Sequence, residues 1–305
     1  GPGRGSYNLG TTPGEANANG RVYTYVGTNR RSYEPVRVLP TPLKKQLVTV
    51  GTSYALDSPA TVFIDLASSE LELNRFASDG ATGQAMRVGY VVQDRPVNLP
   101  GLAGYRLRSN VDYEYTSRRF TPIDRYRDIE FDRNWSTANT LIGNNQTPRE
   151  ENIFNAGVGL IKDANNALGY RLSRRYRAGE VSGVQHWFDA ARQFGRLQLR
   201  GNLFLLNSEA GRRESRWARG EAAARYVGGA LEPGYAYRFD KNRVARPDGD
   251  SLTTANYYDE HALFVQSRDT ARIKFRADYS FRRDQTPNAE RTSLRERARA
   301  HTWQA

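Results

Sequence analysis

From Leu47 onward apolar side chains recur with a period of two, and this spacing constrains the chain more than any other feature. Successive side chains of an extended strand point to opposite faces, so the spacing predicts strands with one apolar and one polar side. Val48, Val50, Thr52, Tyr54 and Leu56 share one side, with Gly51, Ser53 and Ala55 on the other. After the Asp57-Ser58-Pro59 turn, Val62, Ile64 and Leu66 continue the pattern, which predicts a hairpin. The alternation is cleanest where Tyr105, Leu107, Val111, Tyr113 and Tyr115 oppose Arg106, Arg108, Asn110, Asp112 and Glu114. Further on, Leu197, Leu199, Leu203 and Leu205 oppose Arg196, Gln198, Arg200 and Asn202. Near the end, Ile273, Phe275, Ala277, Tyr279 and Phe281 oppose Lys274, Arg276, Asp278, Ser280 and Arg282. About a dozen such segments, each followed by a turn-like or charged stretch, predict a large antiparallel sheet rather than βαβ units.

Two segments compete as helices, residues 187–194 and residues 290–300, the second with alternating charges and good helix formers. Residues 1–44 are rich in Gly, Pro, Asn and Tyr and read as an irregular lead-in. Residues 45–305 read as one antiparallel region, interrupted by a long polar excursion near 121–151 that exceeds a hairpin turn. No apolar run approaches the roughly 18 residues that a spanning helix needs, which excludes a helical membrane bundle. The chain opens at Gly1, carries its single Met at position 86 and shows no leader pattern, as expected of a processed chain or an internal piece.

Lys and Arg number 45 against 33 Asp and Glu, a formal charge of +12 that invites an anionic partner. Zero Cys excludes disulfide frameworks, thiol nucleophiles and Cys-zinc sites. His186, His261 and His301 are dispersed and read as surface or strand-end residues rather than ligands. No serine triad, phosphate loop or paired-His helix is present, and Gly1-Pro2-Gly3-Arg4-Gly5 is turn chemistry. The reading is therefore of a protein without catalysis, cofactor or metal. Residues 246–251 place Asp248 and Asp250 around Gly249, an arrangement open to calcium, but no Glu follows at EF-hand spacing and an ordinary turn is preferred.

Arginine alternating with aromatic residues can also track a nucleic acid, but here the rings and the cations occupy opposite faces, whereas such a groove needs both on one surface. A wall with one face in hydrocarbon and the other lining a wet, charged interior fits the same residues better. On this reading Arg106, Arg108, Arg196, Arg200, Lys274 and Arg276 set the electrostatics of a lumen. Tyr105, Leu107, Tyr113, Tyr115, Leu197, Leu199, Leu203, Phe275, Tyr279 and Phe281 face lipid or form its aromatic girdle. The fold expected is an all-β antiparallel meander forming all or part of a transmembrane β-barrel. The alternative from the same alternation is a soluble extracellular β-sandwich that binds polyanions such as glycans or nucleic acid, its apolar side buried between two sheets.

The segments Gly3-Arg4-Gly5-Ser6-Tyr7, Val22-Tyr23-Thr24-Tyr25-Val26, Tyr33-Glu34-Pro35-Val36, residues 69–76, Tyr113-Glu114-Tyr115 and residues 120–135 resemble parts of the large outer-membrane or cell-surface β proteins of the Bacteroidota type. The resemblance covers the first half directly and the second by strand pattern. It implies export by the general secretion route to a Gram-negative outer membrane and a barrel of long hairpins, and it carries over no functional residue. The function expected is a passive wall acting as pore, secretion conduit or surface anchor, in contact with outer-membrane lipid and other envelope proteins.

Overall fold

The computed structural model describes residues 5–10, 22–28, 33, 41–57, 59–76, 80–137, 149–246, 252–268 and 270–304. The chain forms two compact units, Gly1–Leu43 with Leu73–Ser78, and Lys44–Glu72 with Asp79–Ala305. In the first, β1 (Tyr7–Leu9) and β2 (Tyr23–Tyr25) pair antiparallel. An edge contact between Tyr7 and Tyr25 at 5.4 Å reinforces the pairing.

The second unit is a single thirteen-stranded antiparallel meander. Its strands are β3 (Lys44–Asp57), β4 (Ala60–Glu72), β5 (Ala81–Pro96), β6 (Arg106–Thr116), β7 (Glu151–Asp163), β8 (Asn166–Arg177) and β9 (Val181–Phe194), then β10 (Leu197–Ala210), β11 (Arg213–Tyr226), β12 (Leu231–Ala245), β13 (Leu252–Ser267), β14 (Arg276–Pro287) and β15 (Leu294–Gln304). Each pairs with its neighbours in sequence, so local hairpins build the whole sheet. The sheet is not closed: among the described residues β3 pairs only with β4, and β15 only with β14. Since β3 and β15 run in the same direction, pairing them would require a parallel join in an otherwise antiparallel ring.

The register carries a steady stagger. A row of paired residues that begins at Val50, in the middle of β3, passes through Leu66, Met86, Tyr115, Asn152, Tyr176, Ser182, Glu209 and Glu214 and leaves the sheet at Ala245, the last residue of β12. Strands slipping in one direction across a sheet are what barrel curvature needs, because closure links strand tilt to register shear.

Following the same register, the alternation of each strand becomes two continuous faces. Val50, Leu66, Met86, Val88, Tyr113, Phe154, Leu172, His186, Leu203, Tyr237, Leu263 and Phe281 belong to the apolar one. Every exposed large hydrophobic residue in β3–β15, among those described, lies on this face. Among the described residues the thirteen strands make a single sheet and many of these side chains are exposed, whereas the sandwich alternative expects them buried between two layers.

Both competing helix assignments are corrected, since residues 187–194 lie in β9 and residues 294–304 form β15. Pairing with β14 overrides the helix propensity of the Arg- and Ala-rich terminus. Helix is confined among the described residues to one turn, α1 (Phe131–Asn134), inside the connection from β6 to β7.

Candidate functional site

On the polar face, side chains join across strands. Arg87 on β5 reaches Asp112 on β6 at 3.5 Å, Asn155 on β7 donates to Asp112 at 2.9 Å, and Ser173 on β8 donates to Asn155 at 2.7 Å. Four strands are thus tied by one polar row, each buried group finding a partner. Beyond it, Arg238 on β12 meets Glu221 on β11 at 3.2 Å, and Arg225 on β11 meets Glu232 on β12 at 3.6 Å. Carboxylates interleaved with guanidinium groups neutralise much of the positive charge that composition places here.

Part of this face is covered by the chain itself. The connection leaving β6 turns back across the strands, anchored first where Thr121 donates its backbone N–H to Ser69 Oγ at 2.9 Å. The backbone at Phe120 lies so close to Gly83 that a Cβ there would stand 2.1 Å from Phe120 N, so only glycine fits. Arg127 then bonds Glu114 on β6 and reaches Glu151 on β7 at 3.2 Å. Burial opposes its charge, but the Glu114 carboxylate, with Tyr126 and Glu151, outweighs it and holds the guanidinium above its ordinary pKa. Arg175 on β8, whose side chain is 2% exposed, pairs with Glu151 at 2.7 Å and with Asp132 of α1 at 2.9 Å, and lies 4.5 Å from the Phe131 ring.

The segment ends in a dry anchor. Trp135, 2% exposed, packs with Phe204, Leu206 and Trp217, with Phe131 and Trp187 against them. Ser208 donates to the Trp135 carbonyl at 3.1 Å, Gln185 to the Asn134 carbonyl at 2.7 Å, and the Trp217 indole N–H to Asp240 at 2.7 Å. The polar excursion expected near 121–151 is therefore, over residues 120–137, a strap docked from β4 to β11; residues 138–148 lie outside the described set.

The residues singled out for a lumen divide. Arg106 and Arg108 on β6, Arg200 on β10 and Arg276 on β14 share the polar face, where Arg108 pairs with Asp94 and Arg276 with Asp278, both at 2.8 Å. Arg196 departs from the expectation: it sits in the β9–β10 turn and donates to Tyr226 Oη at 3.3 Å, a residue of the apolar face. Lys274 and Phe275 depart as well, because β14 begins only at Arg276 and both lie in the connection before it. There Ser267 Oγ and the Ser267 N–H bond the Phe275 backbone. Tyr105 precedes β6 and is buried, with its hydroxyl taken by Arg192. Leu107, Tyr113, Tyr115, Leu197, Leu199, Leu203, Tyr279 and Phe281 lie on the apolar face.

His261 and His301 are exposed, as read from the sequence, and His186 is half-buried. All three lie within strands on the apolar face, each bonded through Nδ1 to a tyrosine hydroxyl of the adjacent strand: His186 with Tyr170 at 2.9 Å, His261 with Tyr235 at 2.7 Å, His301 with Tyr279 at 2.8 Å. The partners are diagonal neighbours, so the pairing is visible only once the register is known. Asp248, Gly249 and Asp250 of the calcium-like loop lie outside the described residues.

The apolar face has a boundary. Toward the strap end its strands change to charge, at Glu70 on β4, Arg174 on β8, Glu209 on β10, Arg216 on β11, Lys241 on β12 and Arg283 on β14. Between this boundary and the opposite turns β10 presents Leu197, Leu199, Gly201, Leu203 and Leu205. That run from Leu197 to Leu205 matches the lower end of the roughly 9–11 residues that a tilted membrane strand takes.

Comparison with protein-family models, with curated proteins and with solved structures finds no match for this chain.

Proposed function

We propose that the thirteen-stranded sheet is part of the wall of an outer-membrane β-barrel of a Gram-negative bacterium. Its apolar face meets lipid, and its polar face lines an aqueous conduit that the strap of residues 120–137 narrows from within. The observation that carries this reading is the apolar face, which runs from β3 to β14, carries every exposed large hydrophobic residue of these strands among those described, and is bounded by charge at one end. In water such an area is a liability, whereas hydrocarbon accommodates it. The register stagger supports the same reading, as do the tyrosine–histidine pairs, whose amphipathic rings suit a membrane interface. Because a parallel join is foreign to a bacterial barrel of even strand number, the ring closes through an odd number of further strands, the first antiparallel to β3. The protein acts passively, as pore, secretion conduit or anchor, without catalysis or cofactor.

Zero Cys makes the test clean. Leu199 and Arg200 are adjacent in sequence and point to opposite faces. In proteoliposomes Leu199→Cys should react only with a membrane-soluble maleimide and Arg200→Cys with a water-soluble one. Equal, rapid reaction of both with the water-soluble reagent would reject the membrane wall and favour a dissolved module that binds polyanions.

A further inference from the structure

Away from the strap, the polar face holds an open trough of about 470 Å³, within the size range of small-molecule sites. Its floor is bare backbone. Gly159 on β7 and Gly169 on β8 are directly paired, and Gly157 lies one polar-face position along, opposite Arg171. Gly157 is crowded, because a Cβ there would stand 2.4 Å from Asn110 Oδ1, the movable end of a side chain. The other two are not: a Cβ on Gly159 would meet nothing nearer than 3.5 Å, and one on Gly169 nothing nearer than 3.7 Å. Glycine inside a strand weakens it and gives no side chain to pack, so two facing glycines without a steric reason leave space that the fold itself does not use.

The walls carry donors and acceptors in balance. On one side Arg108 Nε donates to Asp94 at 2.8 Å, with Asp94 turned toward it by a bulge at φ 57°. On the other, Arg171 stands 3.7 Å from Asp189, its guanidinium over the Trp187 ring at 5.4 Å. All four charged side chains are between about two-fifths and two-thirds exposed, leaving hydrogen-bonding capacity free at the rim. Two guanidinium groups matched by two carboxylates leave no net charge for an anion to neutralise. The same groups alternate donors with acceptors around a flat, uncharged floor, as a ligand rich in hydroxyls requires.

We infer that this trough is a subsite for a neutral saccharide. A pyranose ring lies against the Gly159–Gly169 backbone, and its hydroxyls bond Arg108, Asp94, Asn110, Arg171 and Asp189. The inference goes beyond the membrane reading and does not depend on it, since the trough belongs to the polar face wherever the apolar face resides.

Isothermal titration calorimetry of the full chain, in a detergent without a sugar headgroup, tests it with maltotriose, cellotriose and laminaritriose, and with a heparin-derived oligosaccharide as the anionic arm. At least one neutral trisaccharide should bind, and Gly169→Leu, which fills the floor, should weaken it tenfold or more. Gly169→Ala has room for its methyl group and guards against a folding failure; it should keep the wild-type melting temperature within a few degrees and still weaken binding measurably. The inference is overturned if none of the three neutral sugars binds, if the anionic oligosaccharide binds more tightly than all of them, or if Gly169→Ala and every folded Gly169→Leu sample retain wild-type affinity.

Discussion

Trp135→Ala separates a docked strap from an ordinary piece of core. The indole is 2% exposed among Phe204, Leu206 and Trp217. An aromatic side chain buries about 150–250 Å², which at about 25 cal/mol per Å² amounts to about 4–6 kcal/mol. That is an upper estimate, and large aromatic truncations cost about 3–5 kcal/mol. The loss should fall on the strap, because the β10–β11 ladder runs unbroken from Leu197–Tyr226 to Ala210–Arg213 and needs no indole. Amide hydrogen exchange in detergent micelles reads this directly. The amides of Asn134, Trp135 and Ser136, which bond carbonyls within the strap, should exchange about two to four decades faster, since 1.4 kcal/mol is about one decade. Those of β10 and β11 should stay protected. If the strand amides accelerate as much as the strap amides, Trp135 is part of the sheet's core and the strap is not a separable element.

Arg175→Met leaves Glu151 and Asp132 without their buried partner and should destabilise the strap by about 3–5 kcal/mol, measured by denaturant titration. Adding Glu151→Leu should restore part of that loss, and a neutral single variant would remove the ion pair from the account. Gly83→Val drives a side chain into the Phe120 backbone and should cost about 1–3 kcal/mol or more, whereas Gly159→Ala, whose methyl group meets nothing nearer than 3.5 Å, should stabilise by about 0.4–1 kcal/mol. Similar melting temperatures for these two variants would contradict the contrast drawn between required and unrequired glycines.

The two faces were legible from period two alone, because parity along a strand survives any ambiguity about its ends. Leu197, Leu199 and Leu203 could be assigned to a side without a structure. Strand ends were less secure: Ile273, Lys274 and Phe275 extend the alternation of β14 by sequence, yet Ser267 engages Phe275 in the connection before that strand. The strap was illegible because its contacts are remote. Trp135 meets residues about seventy or more positions away, and nothing periodic marks Arg127 or Phe131. A signal did exist: Trp187, Phe204 and Trp217 fall on the polar parity of three successive strands, and aromatic residues gathered on a wet face mark a place where something dry packs. The tyrosine–histidine pairs needed the register, which sequence alone leaves open.

The central claim, that the apolar face meets lipid, is tested most directly by the distribution of the four tryptophans. Trp135, Trp187 and Trp217 lie in the strap or on the polar face, while Trp303 on β15 stands on the apolar face, 78% exposed. In bilayers of brominated phospholipid, fluorescence quenching of the wild type should come from Trp303 and disappear in Trp303→Phe. Quenching that persists undiminished in Trp303→Phe, or an absence of quenching in the wild type, would contradict the lipid-facing assignment.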